Sequence, residues 1–188
     1  MQESSFVGIF EAVAKEVLGD KAIVDRKANL FYELYLNRKL ELMIPPESTK
    51  NPKRGTSAFQ TDICICELID GVKFPRLAIE FKESISTHDI LTYSAKAGQH
   101  KRIYPCLRYG ILVGNEASIP SRFFIHNENL DFFIAAKNYK GQEKLRPLVQ
   151  TLVEAELAIS RKLEEIHFDC RKFDYYRRDI VFRNFGEK

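Results

Sequence analysis

Between residues 58 and 82 the chain carries two β-rich runs, Ala58 to Ile69 and Phe74 to Lys82, around the turn-forming pair Asp70-Gly71. This pattern reads as a β-hairpin, because Gly accepts the positive φ that a tight reversal demands. Strand side chains alternate, so Leu77, Ile79 and Phe81 fall on one face and Glu80 and Lys82 on the other. A carboxylate and an amine therefore stand side by side at the end of an apolar strand. If the connecting loop holds three residues, Asp70 to Val72, residue 69 opposes 73 and Asp62 opposes Glu80 on the same face. A two-residue loop would misalign the pair unless a bulge restored the register.

Two carboxylates at cross-strand distance repel, and a cation between them is the ordinary remedy. Oxygen ligands without an accompanying His or Cys suit Mg²⁺, with Mn²⁺ as a substitute. A lysine beside such an ion is placed to hold an attacking water or to offset charge on a phosphate. Phosphodiester hydrolysis is the reaction class that follows. The competing reading of Glu80-Phe81-Lys82 is a solvated strand face with a favourable charge pair. Against it, this Glu-x-Lys triplet ends an apolar strand, follows an Asp-bearing partner and precedes a capped helix.

The rest of the chain supplies an α/β frame. Residues 5 to 18 place Phe6, Ile9, Phe10, Val13 and Val17 at helical spacing, with Ser4 and Ser5 as caps and Gly19 as a stop. Residues 27 to 40 read as a second helix with Leu30, Phe31, Leu34 and Tyr35 inward and Glu33 mid-helix, ended by Pro45-Pro46. Residues 46 to 57 read as a basic surface loop. Ser86-Thr87-His88-Asp89 resembles a capping box before a helix over 88 to 104. Strands are expected at Arg108 to Gly114 and Leu130 to Ala136. A long helix is expected over 143 to 166 with Leu148, Leu152, Ala155, Ile159, Leu163 and Ile166 inward. The order predicts an α/β sandwich with a mixed sheet.

Asp62 followed after a hairpin turn by Glu80-Phe81-Lys82 resembles the PD-(D/E)XK signature of restriction endonucleases and related repair and recombination nucleases. The likeness covers roughly residues 30 to 114, with Thr61 in place of the eponymous Pro. It implies a restriction-endonuclease-like three-layer sandwich, a central mixed β-sheet flanked by helices. It also implies Asp62 and Glu80 as magnesium ligands, assisted by the carbonyl of Phe81, and Lys82 as the group that positions the water. Glu33 matches the acidic residue that many members carry on a preceding helix. Gln99 and Tyr104 look similar to a Gln and Tyr found beyond the Lys in some members. For Glu33 and Gln99 a plain surface role is the alternative, and for Tyr104 packing is the preferred one.

Three basic clusters offer phosphate contacts: Lys50, Lys53 and Arg54; His100, Lys101, Arg102 and Arg108; and Arg171, Lys172, Arg177, Arg178 and Arg183 among aromatics. The net charge of +3 is too small to establish a nucleic-acid partner by itself. With 188 residues, 45% of them hydrophobic, the chain suits one domain. Its catalytic core is expected over about 27 to 137, with a helical, basic and aromatic part over 143 to 188. The four cysteines show no Cys-x-x-Cys, which suits a reducing cytoplasm. No secretion signal or membrane span is read. The expected function is a Mg²⁺-dependent DNA endonuclease of restriction type, cutting duplex DNA as a homodimer or with a partner subunit. The alternatives are a repair, recombination or mobile-element nuclease of the same fold, or a non-catalytic nucleic-acid-binding module.

Overall fold

The computed structural model describes residues 3–43, 49–55, 57–169 and 172–183, without the side chain of Glu3. In chain order the elements are α1 (Glu3–Leu18), a 3-10 turn (Gly19–Lys21), β1 (Ile23–Arg26), β2 (Asn29–Phe31), β3 (Tyr35–Leu36) and β4 (Leu42–Met43). They continue with β5 (Ala58–Gln60), β6 (Ile63–Ile69), β7 (Val72–Lys82), α2 (Thr87–Ile103), β8 (Arg108–Val113), α3 (Ser121–His126), β9 (Phe132–Ala135) and α4 (Gln142–Phe168).

The main sheet runs β1-β6-β7-β8-β9. Its β1/β6 and β6/β7 pairs are antiparallel, and β7/β8 and β8/β9 are parallel. The parallel pairs require crossovers, and α2 and α3 supply them. One face of the sheet presents Ile63, Ile65, Leu77, Ile79 and Phe81 to Phe10 and Val13 of α1 and to Leu148, Val149 and Val153 of α4. The rings of Phe6 and Phe10 meet Phe81 edge-on at centroid distances of 5.5 and 5.2 Å. The opposite face presents Cys64, Cys66, Ala78, Tyr109, Ile111 and Val113 to Ile90 and Ala97 of α2 and Phe123 of α3. Glu80 and Lys82 lie on this second face by the alternation of β7, toward α2. The fold is therefore α/β with a central mixed sheet flanked by helices.

Several expectations need correction. Residues 27 to 40 form no helix: Leu30 and Phe31 belong to β2, which pairs with β5, and β3 and β4 make a short hairpin around Asn37 to Leu40. The Asn37 side chain accepts from the backbone N–H groups of Lys39 and Glu41, and Leu40 has φ +62°, so side-chain capping builds a reversal there. Pro45 and Pro46, read as the stop, lie outside the described residues. Ser4 and Ser5 sit inside the first turn of α1 rather than capping it.

On α4 the buried positions are Leu145, Leu148, Val149, Leu152, Val153, Glu156, Leu157 and Ser160, whereas Ala155, Ile159 and Ile166 are exposed. The expected stripe is rotated because two polar contacts face inward: Arg108 Nε donates to Glu156 at 2.7 Å, and Ser160 Oγ donates to the Cys106 carbonyl at 2.7 Å. Cys64, Cys66 and Cys106 are free and buried, and Cys170 lies outside the described residues. Among the described residues no helix is long and apolar enough to cross a membrane.

Candidate active site

The register of the hairpin decides which side chains meet. Its turn holds two residues, Asp70 and Gly71, at φ +51° and +76°. Ile69 pairs with Val72 and Cys66 with Pro75; past a bulge at Arg76, Ile65 pairs with Leu77 and Ile63 with Ile79. Continued by one residue, this register sets Asp62 opposite Glu80. The expected three-residue loop is thus a two-residue turn plus one bulged residue, and both add the same single step to the register. Pro75, which has no N–H to give, sits where β7 has not yet reached β8, whose pairing begins at Leu77.

Asp62 occupies the step between β5 and β6, half-buried, and its Oδ2 accepts the backbone N–H of Phe81 at 2.9 Å. Glu80 is buried, and its Oε1 accepts from Lys96 Nζ at 2.6 Å and from the Tyr109 hydroxyl. Burial pushes the Glu80 carboxyl above the usual carboxylate range, Lys96 pulls it back, and the nearby Asp62 charge pushes it up again. Among the described residues, Oε2 of Glu80 and Oδ1 of Asp62 accept no hydrogen bond. Each carboxylate keeps one oxygen for another partner.

Lys82 stands beside them, half-buried, with its ammonium 5.5 Å from the centre of the Tyr93 ring. Burial, followed by the charge of Glu80, raises the Tyr93 phenol to about 12. The same two causes hold Tyr109 well above an ordinary tyrosine, so its hydroxyl remains a donor to Glu80. The helix behind the site is placed by its start: Ser86 Oγ accepts from Asp89 N while the Asp89 side chain accepts from Ser86 N, a capping box. That start aims Tyr93, Lys96 and His100 at the sheet.

Among the described residues no three His, Cys, Asp or Glu side chains gather around one point. Two carboxylates with spare oxygens and one adjacent backbone carbonyl at Phe81 fit a hard divalent ion such as Mg²⁺, which commonly completes its shell with waters. No protein-family model matches the chain, and no curated protein matches it significantly.

The other expected site residues scatter. Glu33 is exposed between β2 and β3, off any helix. Gln99 is exposed on α2 and lines an open cleft of about 520 Å³ with Ala95, Gly98, Lys101, Arg102, Glu128 and Asn129. The Tyr104 hydroxyl accepts the N–H of Phe31 at 3.2 Å, a packing role. Lys101 and Arg108, expected at a phosphate surface, turn inward: Lys101 Nζ lies 2.6 Å and Arg108 Nη1 2.7 Å from Asp131 Oδ1. Paired and partly desolvated, they serve the fold. Lys50, Lys53, Arg54, Arg102, Lys172 and Arg178 are exposed, Arg177 pairs with Asp179 at 2.8 Å, and Arg171 lies outside the described residues.

Lys96 and Tyr109 escaped the sequence reading. The available signal was Lys96 at helical spacing with Tyr93, Ala97 and His100, a lysine on what is otherwise the inward face. His100 itself is buried, with Nδ1 2.7 Å from the Phe31 carbonyl and Nε2 without a partner, and its ring stacks on Tyr109 at 5.7 Å. Burial drives its pKa from 6.5 down to about 4. Between those values the unfolded chain binds a proton that the folded one refuses, so stability present above pH 6.5 is lost as pH falls toward 4. The loss amounts to at most about 3 kcal/mol. Chemical-denaturation midpoints measured from pH 7 to 4.5 should drop with acid, and the drop should flatten in His100→Gln. An unchanged slope in that variant would assign the acid sensitivity elsewhere.

Proposed function

We propose that this chain is a Mg²⁺-dependent DNA endonuclease of restriction type, with the restriction-endonuclease-like fold and the PD-(D/E)XK arrangement. The observation that carries the reading is the meeting of Asp62, Glu80 and Lys82 on one face of the sheet, with an uncommitted oxygen on each carboxylate. The mixed sheet adds support, because the group lies at the carboxyl end of β7, beside the parallel strand β8, where open α/β sheets hold their ligands.

In this reading Asp62, Glu80 and the Phe81 carbonyl would hold the ion, with Mn²⁺ as a substitute. The ion supplies Lewis acidity and lowers the pKa of a bound water. The chain's own contribution is positional. The Phe81 N–H fixes Asp62 while the Tyr109 hydroxyl and Lys96 fix Glu80, so neither carboxylate must reorganise. Lys82 orients the water and offsets charge on the phosphate. Lys50, Lys53 and Arg54 lie on the loop that leads into β5 and on to Asp62, and together with Arg102, Lys172 and Arg178 they offer exposed phosphate contacts. One such site cuts one strand, so duplex cleavage calls for a homodimer or a partner subunit.

Supercoiled plasmid and single-stranded DNA incubated with the purified protein should be cut with Mg²⁺ or Mn²⁺ and left intact in EDTA. Tight DNA binding without any divalent-ion binding by calorimetry would overturn the reading in favour of a non-catalytic nucleic-acid-binding module.

A further inference from the structure

A second cation of the site comes from neither arm of the hairpin. Lys96 of α2 donates to Glu80 Oε1 at 2.6 Å and to the Gln60 carbonyl at 2.7 Å, and only 16% of its side chain is exposed. Its ammonium also lies 5.9 and 6.0 Å from the ring centres of Phe59 and Tyr93. Both hydrogen-bond partners flank the proposed ion position, since Gln60 lies two residues before Asp62. Lys96 thus already does for Glu80 part of what a divalent cation would do.

Lys96 sets its positive charge on one of the two carboxylates. An ammonium hydrogen-bonded to one ligand's carboxylate repels a dication on that ligand's other oxygen. Resting on the reading of Asp62 and Glu80 as metal ligands, we propose that Lys96 is a built-in counter-ion that competes with the divalent cation for Glu80. It holds the buried carboxylate in place without metal and weakens the hold of the site on the ion.

The test compares wild type, Lys96→Met and Lys96→Arg for Mn²⁺ binding by calorimetry without DNA and for thermal stability with and without Mn²⁺. Met retains the packing between the Phe59 and Tyr93 rings and removes the charge; Arg retains the charge and controls for folding. Lys96→Met should melt lower than wild type without metal, bind Mn²⁺ at least about tenfold more tightly, and gain more stability from it. Lys96→Arg should keep the wild-type affinity. Equal or weaker Mn²⁺ binding by Lys96→Met overturns the inference, and if the wild type still cuts DNA, the nuclease reading stands without it. Tighter binding by Lys96→Met with no DNA cutting by the wild type supports the inference and removes the nuclease. No Mn²⁺ binding by any of the three overturns both.

Discussion

Glu80→Ala should lower metal-dependent DNA cutting by about a thousandfold or more, equivalent to roughly 4 kcal/mol of lost transition-state stabilisation. The side chain is one of the two carboxylates proposed as ligands, so its removal takes away half of that charged set. Lys82→Ala should cost about a hundred- to a thousandfold, the range typical of one lost electrostatic stabiliser. The two variants should differ in how they fail. Glu80→Ala should lose Mn²⁺ binding by calorimetry, whereas Lys82→Ala should still bind the ion and lose rate. Glu80→Gln separates chemistry from folding, since its amide keeps an oxygen for Tyr109 and Lys96 but carries no charge. Because burial raises the Glu80 carboxyl, with Lys96 opposing, protons should compete with Mn²⁺ for it, and Mn²⁺ binding should weaken with acid at a higher pH than an ordinary carboxylate would dictate. Plasmid cutting that survives Glu80→Ala or Lys82→Ala and still requires metal would remove these residues from the site.

What could be read from the chain depended on how far away the deciding partner lies. The alternation of Leu77, Ile79 and Phe81 against Glu80 and Lys82 is local, and the observed faces follow it. The capped start of α2 is likewise local and lies where the Ser86 and Asp89 spacing puts it. Residues 27 to 40 carry apolar side chains compatible with helical spacing, yet Leu30 and Phe31 pair with Phe59 and Ala58, about 28 residues on, and that remote pairing overrides the local pattern. Lys101 and Arg108 look like surface charges until Asp131 and Glu156 are known to face them. Lys96 is the same case within the site, because a lysine on a helix declares itself only when a buried carboxylate lies across from it.

Arg76 joins the fold to the site, and Arg76→Ala should destabilise the protein by about 3–5 kcal/mol, the usual cost of removing one partner from a buried ion pair. The residue is 2% exposed at the bulge of β7. Its Nε donates to Glu67 at 2.7 Å, its Nη2 donates to Glu164 of α4, and its guanidinium lies 4.6 Å from the centre of the Phe74 ring. Glu67 is also held by Arg161 of α4, with Nε at 2.9 Å. Alanine would leave Glu164 without Arg76 and Glu67 with Arg161 alone, and would open a void at the bulge. For a domain of this size the loss corresponds to roughly 10 °C in melting temperature. Arg76→Met, which refills the apolar volume, should recover part of it, and adding Glu164→Gln should recover more by discharging the abandoned carboxylate. The bulge is also what steps the register so that Asp62 faces Glu80, so Arg76→Ala assayed well below its melting point should lose metal affinity as well as stability. A melting temperature within about 2 °C of wild type would show that the Glu67 and Glu164 contacts do not hold the bulge. The register that brings Asp62 opposite Glu80 would then be set by other features of the hairpin, among them the Asp70-Gly71 turn.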